Sequence, residues 1–182
     1  MYQQFKARAD GVSAEVYRFD TKTAVLEFVR QFLLEEGVAD RRGFYSLWAK
    51  GSFLNGMDRQ TLPAIPGLKF EVTRELAADA RIGISQMHWA LADTGTLVQD
   101  STAIEQRLVS SLSSIHIAIA PTAGILPDMP TLLATVNPKK CAYLAMITGP
   151  SRTADIERVL TIGVHGPERL IILFCDELGG AG

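Results

Sequence analysis

Cysteine is scarce in this chain of 182 residues: Cys141 and Cys175 are the two present, and they form no C-x-x-C pair. That spacing argues against a disulfide framework, a zinc knuckle or an iron–sulfur cluster built from the chain's own thiols, and both read as buried free thiols beside apolar strands. Basic residues are not in excess either. Lys and Arg total 18 against 20 Asp and Glu, for a net charge of −2, and they cluster only at Arg41-Arg42 and Lys139-Lys140, so the basic stripe that nucleic acid needs is missing. The three histidines, His88, His116 and His165, are dispersed with no H-x-x-x-H spacing, so no metal is expected. No apolar run approaches the roughly 20 residues of a membrane span. Residues 1–6 do not begin a secretory signal, and the expected location is the cytoplasm. G-x-x-x-x-G-K-[ST], G-x-G-x-x-G and G-x-S-x-G are all absent, which removes the usual P-loop, dinucleotide and α/β-hydrolase signatures.

What is present is apolar sequence, 47% of residues, enough for one compact core. We expect a single domain over 1–182, with an N-terminal helical segment over 1–40 and an α/β core over 68–174. Asp20 or Thr21 can cap a helix over 22–36, with Gly37 as its stop. Residues 51–67, rich in Gly, Asn, Asp and Pro, read as a surface loop whose Phe53, Leu54, Met57, Leu62 and Ile65 offer an apolar docking surface. A strand is expected at 68–72, a helical turn or two at 75–84, and a buried strand at 89–92. Thr102 and Glu105 fit a capping box, 115–120 is a strongly β-type run, and Asp128 can cap a helix over 129–136. Apolar runs at 142–147 and 170–174 bracket a helical pattern in which Ile156, Val159 and Leu160 recur, with Asp155 and Glu157 in its first turn. Strands alternating with helices imply an α/β fold with a mostly parallel sheet covered on both faces.

Two polar loops follow predicted strands. In Asp93-Thr94-Gly95-Thr96, hydroxyls and backbone N–H groups can converge on an anion, with Asp93 holding a hydroxyl or a proton; a hairpin turn explains the same residues. In Gly149-Pro150-Ser151-Arg152-Thr153, the arginine fork matches a carboxylate or phosphate, flanked by donors from Ser151 and Thr153; pairing with Asp155 or Glu157 is the competing reading. His165, in the turn entering the last strand, is placed to orient a ligand or act as acid or base, or serves the turn alone. His88 precedes a strand and can face the same crevice, and His116 reads as a core residue.

The stretches 90–97, 107–108 with 115–117, 147–157 and 163–167 together resemble the LUD domain family, in its lactate utilisation protein C (LutC/YkgG) branch, most closely over residues 75–174. The resemblance implies a NagB/RpiA/CoA-transferase-like α/β/α sandwich. It also implies a part in oxidising L-lactate to pyruvate alongside an iron–sulfur subunit and a cysteine-rich subunit, which would carry the clusters while this chain binds no cofactor. Asp93 stands where the family usually has glutamate. From these readings the candidate catalytic residues are Asp93 and His165. The candidate binding residues for a small anionic metabolite are Thr94, Gly95, Thr96, Gly149, Ser151, Arg152 and Thr153. Two other classes remain: a non-catalytic subunit docking onto an iron–sulfur protein, and a stand-alone isomerase or transferase on a phosphorylated or CoA-linked substrate.

Overall fold

Two runs buried along nearly their whole length, Ile115–Pro121 and Arg169–Cys175, lie side by side as parallel strands at the centre of the protein. The computed structural model describes residues 1–54, 62, 65–137, 139, 141–154, 160–162 and 166–179, with backbone alone at 153–154 and 160–162. In chain order the elements are α1 (Tyr2–Gly11), β1 (Glu15–Phe19), α2 (Lys22–Glu35), β2 (Ser46–Trp48), β3 (Leu68–Lys69), α3 (Arg74–Asp79), β4 (Ile82–Gln86), β5 (Trp89–Leu91) and β6 (Thr96–Asp100). There follow α4 (Ile104–Leu112), β7 (Ile115–Pro121), β8 (Ile125–Leu126), α5 (Met129–Thr135), β9 (Leu144–Ile147), β10 (Arg152–Ala154), β11 (Leu160–Ile162) and β12 (Arg169–Cys175).

Among the described residues the main sheet has the order β1-β12-β7-β4-β2-β3 with every neighbour parallel, as the alternating pattern requires. Alternation along its strands sends two sets of side chains to opposite faces. Ile82, Ile84, Ile115, Ile117, Ile119 and Leu173 meet Val25, Val29 and Leu33 of α2 on one side. Ala118, Ala120, Leu170, Ile172 and Phe174 meet Phe5 and Ala9 of α1, with Ala90 and Leu97, on the other. Farther along that second face, Leu47 packs with Ala77 of α3 and Val109 of α4. Gly83 lets α4 approach, since a Cβ there would lie 2.2 Å from the Val109 carbonyl oxygen. Phe174 receives Phe5 and Tyr2 edge-on at centroid distances of 5.0 and 5.7 Å, which locks α1 to the sheet. A second sheet, β8-β5-β6-β9, covers part of that face; β5 and β6 form an antiparallel hairpin and β9 pairs antiparallel with β6.

Two of the three helix caps read from sequence are present: the Thr21 hydroxyl accepts from Ala24 N at 3.2 Å and Asp128 from Thr131 N at 2.9 Å. Several expectations are corrected. The first 40 residues hold the helices α1 and α2, and between them β1, which sequence did not mark, joins the main sheet against β12. The mixed stretch at 75–84 splits into the short α3 and the buried strand β4, whose Gly83 stands in place of a larger residue where α4 crosses closely. The expected strands at 89–92 and 142–147 belong to the second sheet. Thr102 caps no helix: Ala103 is the N-cap of α4, and the Thr102 hydroxyl instead donates to Asp100 Oδ1 at 2.6 Å. In place of the helix expected after residue 154, Arg152–Ala154 pairs antiparallel with Leu160–Ile162, consistent with the β-branched Thr153, Thr161 and Ile162; Ile156 and Val159 lie outside the described residues. Finally, Phe53, Leu54 and Ile65 are core residues packed beside α2, with Leu62 partly buried against the same core, so these side chains are not an exposed docking surface; Met57 lies outside the described residues.

Candidate functional site

The two loops singled out from sequence do meet. Asp93, Thr94 and Gly95 form the turn of the β5–β6 hairpin, closed by Gly95 N donating to Leu91 O at 3.0 Å. Thr96 Oγ1 donates to Thr94 Oγ1 and lies the same 2.8 Å from Thr148 Oγ1, so the hydroxyls of the two loops run in a string. Gly95 (φ +70°) and Gly149 (φ +73°) both press on the α1–β1 junction, where a Cβ would come within 2.6 Å of Ala9 N and 2.7 Å of Val12 O respectively. Ser151 N donates to Pro167 O at 2.8 Å, and Arg152 Nη2 donates to Ser13 Oγ at 3.1 Å. Thr153 contributes backbone to β10, and His165 lies outside the described residues. Asp93 Oδ1 is sealed from solvent and has no hydrogen-bond partner among the described residues. Most polar groups here are therefore committed to one another or covered by backbone. The exposed Arg152 guanidinium is the exception, with one neutral partner and no ion pair among the described residues; with β10 following the loop, no helix N-terminus backs it.

A different place is open. At the carboxyl ends of β2 and β4, where ligands of parallel α/β sheets usually sit, a cleft of 480 Å³ is lined by Lys50, Gly51, Ser52, Gln86, His88, Asp100, Thr102, Ala103 and Gln106. Gln86 and Gln106 of this lining are joined behind it by the buried Gln99. Gln99 donates to the Gln86 carbonyl at 2.8 Å and to Gln106 Oε1 at 2.9 Å, and accepts from the Ser101 hydroxyl at 2.7 Å. Gln106 donates onward to the Lys50 carbonyl at 2.6 Å, and Gln86 holds Phe53 N and the Ser52 hydroxyl at 2.8 and 2.9 Å. This network ties β4, β6, α4 and the segment after β2 into one rigid frame, because each amide is paired in a poorly solvated place. Gly51 is demanded by it, since a Cβ would lie 2.8 Å from Gln86 Oε1.

The charged groups around the frame are less fully committed. The Lys50 ammonium is exposed and forms no ion pair among the described residues. Asp100 Oδ1 accepts from Thr102 N at 3.0 Å and from the Thr102 hydroxyl. Burial alone would raise the Asp100 pKa, but those hydrogen bonds, with smaller help from Cys141 and His88, outweigh it and hold the carboxyl below its ordinary range. Asp100 N donates to His88 Nδ1 at 3.1 Å, and burial, opposed by the Asp100 charge, pushes the imidazole pKa down. His88 is thus neutral near pH 7. His116 is a core residue, as its apolar strand suggested: wholly buried, with Nε2 2.7 Å from Ser85 Oγ and its pKa driven to about 3 by desolvation, though Nδ1 has no partner among the described residues.

Thr96 and Asp100 occupy opposite ends of β6, about 13 Å apart at roughly 3.3 Å per residue, so the anticipated crevice and the cleft are separate places. Of the cleft's lining, sequence reasoning marked His88 alone. The missed signal was glutamine: Gln86, Gln99 and Gln106 each interrupt an apolar or amphipathic run at an inward position, where an unpaired amide costs about 1–3 kcal/mol and so implies a network.

Comparison with known proteins matches the chain to the LUD domain over residues 2–175. A protein named lactate utilization protein C from Exiguobacterium sp. is 38% identical over 114 residues, 59% of this chain and 50% of its own length. Its counterpart from Bacillus subtilis is 37% identical over 117 residues, 60% of this chain and 48% of its own. The chain thus spans about half the length of the curated relatives it matches. A crystal structure of a DUF162 family protein from Deinococcus radiodurans shares the fold with a TM-score of 0.67 at 16% identity, over 96% of this chain and 95% of that one.

Proposed function

The chain belongs to the LUD domain family, and from that premise we propose that it is a lactate-utilisation component which binds a small carboxylate in the cleft at the carboxyl ends of β2 and β4. The observation that carries this reading is the combination of a Lys50 ammonium with no ion pair among the described residues and a neutral His88 on a rigid glutamine frame, which supplies a charge for a carboxylate and directional groups for what it is attached to. Oxidation of a 2-hydroxy acid needs an electron acceptor, so the redox centre falls to partner subunits, iron–sulfur and cysteine-rich ones by the family resemblance. A thermal-shift screen of L-lactate, pyruvate, sugar phosphates and CoA tests the reading. Ligand at 100 times its dissociation constant stabilises by about 2.7 kcal/mol, and a response confined to sugar phosphates or CoA would favour an isomerase or transferase.

A second reading, that the chain is a docking subunit, is favoured by a specific surface. Met146 on the edge strand β9 is 45% exposed, and the adjoining Tyr143 is 52% exposed. A flat screen, with co-purification of an iron–sulfur partner that Met146→Lys abolishes, would support it. The anion could alternatively sit at Arg152, whose guanidinium is exposed and lightly committed, beside Thr94, Gly95, Thr96, Gly149, Ser151 and Thr153, with Asp93 and His165 as the acid–base pair.

A further inference from the structure

We propose that His88 is the specificity-determining donor of the cleft: the Asp100 backbone N–H fixes its imidazole as the Nε2–H tautomer, and together with the Asp100 carboxylate it reads a hydroxyl carried beside an anionic group that pairs with Lys50. The inference rests on the reading that a small anion occupies the cleft, and adds which chemical feature next to the anion is selected.

The tautomer follows from one contact. Asp100 N donates to Nδ1 at 3.1 Å, so Nδ1 must present its lone pair, and the proton of a neutral ring sits on Nε2. Moving it to Nδ1 would set two N–H groups against each other and leave a backbone donor unpaired. Nε2 makes no hydrogen bond among the described residues and is not among the side-chain atoms sealed from solvent, so the donor is available to the cleft. The opposite role falls to Asp100. Thr102 occupies Oδ1 twice, and the ionised carboxylate, which also interacts with the Cys141 thiol, has acceptor capacity to spare on Oδ2. One N–H donor and one carboxylate acceptor, both held by the backbone turn at residues 100–102, complement a hydroxyl, which accepts and donates at one atom. An oxo group satisfies the donor only and sets its lone pairs toward the Asp100 charge. Sites that bond a substrate hydroxyl reject analogues lacking it, because the site's own polar groups are then left unpaired.

The test follows His88 itself. In protein labelled with ¹⁵N in its imidazoles, long-range ¹H–¹⁵N spectra at neutral pH should show His88 as the Nε2–H tautomer. L-lactate should shift that resonance at a concentration at least about tenfold below pyruvate. His88→Gln, which sets an amide N–H near the position of Nε2, should retain lactate binding within a few-fold, whereas His88→Phe should lose it by more than tenfold while its thermal unfolding stays cooperative. An Nδ1–H tautomer, an imidazolium, or equal affinities for lactate and pyruvate would overturn the proposal. So would a lactate response confined to backbone amides around Arg152 in uniformly ¹⁵N-labelled protein, an outcome that leaves carboxylate binding standing. No response anywhere to either acid would sink both readings together.

Discussion

The two ends of β6 use the same kinds of residue to opposite effect. At the Thr96 end, three hydroxyls are strung together and two glycines are pressed onto the backbone of the α1–β1 junction. At the Asp100 end, a glutamine frame fixes the backbone while an imidazole nitrogen and an ammonium keep their bonding capacity for something else. A polar side chain in a loop is therefore a poor pointer to function on its own. What separates binding from packing is whether its hydrogen bonds are already spent, and that depends on partners far away in the chain.

The contrast is widest for a group with no access to solvent at all. His116 has a folded pKa of about 3 against 6.5 ordinarily, so between those values the unfolded chain binds a proton that the folded chain refuses. Stability is complete above pH 6.5 and is lost as pH falls toward 3, by up to about 5 kcal/mol over the 3.5-unit window. His88, also lowered, adds to the loss with the same sign. Urea unfolding between pH 6 and 5, above most of the range where the lowered Glu27, Glu75, Asp100, Asp128 and Asp176 titrate, should show stability falling by up to about 1.4 kcal/mol per pH unit for His116, with His88 acting in the same direction. His116→Gln should reduce the slope by one proton; an unchanged slope would mean that the ring is protonated without unfolding.

Next in size is the closed end of β6. Gly95→Ala adds a Cβ in a left-handed conformation and 2.6 Å from Ala9 N, so it should cost about 3 kcal/mol in denaturant unfolding. If it costs less than about 1 kcal/mol, α1 is not packed on the hairpin turn as described. At the open end, Gln106→Leu removes the partner of both Gln99 Nε2 and the Lys50 carbonyl. A loss of about 2 kcal/mol is expected, with the response to lactate reduced because Lys50 is no longer held; hydrogen exchange at Thr94–Thr96 should be unaltered.

How much of this was readable beforehand follows a physical line. Strands buried on both faces announce themselves as apolar runs, so β7 and β12 and the parallel sheet were legible, as were the side-chain caps Thr21 and Asp128, whose partners lie three residues away. β4 was not, because Gly83 is small for the sake of α4 and Ser85 pairs with His116 of β7, contacts between elements that no local pattern encodes. The two loops were expected to share a crevice, and the Asp93–Thr96 turn does meet Thr148, yet α1, which closes onto that turn, was not read as an element. The cleft stayed hidden because its frame joins residues 50, 86, 99 and 106, none of them marked by a motif.

The smallest expected effect separates the two ends most sharply. Arg152 is exposed and bonds Ser13 alone among the described residues, so Arg152→Ala should change stability by no more than about 0.5 kcal/mol, within the range usual for surface substitutions. If the carboxylate binds in the cleft, about 13 Å along β6, the thermal shift produced by lactate should survive this substitution in full, because a screened surface charge at that distance adds little to binding. Loss of the shift with stability intact would move the site to the Thr96 end. The threonine string would then have to give up its internal hydrogen bonds to receive the anion, and hydrogen exchange at Thr96 and Thr148 would report that rearrangement directly on addition of lactate.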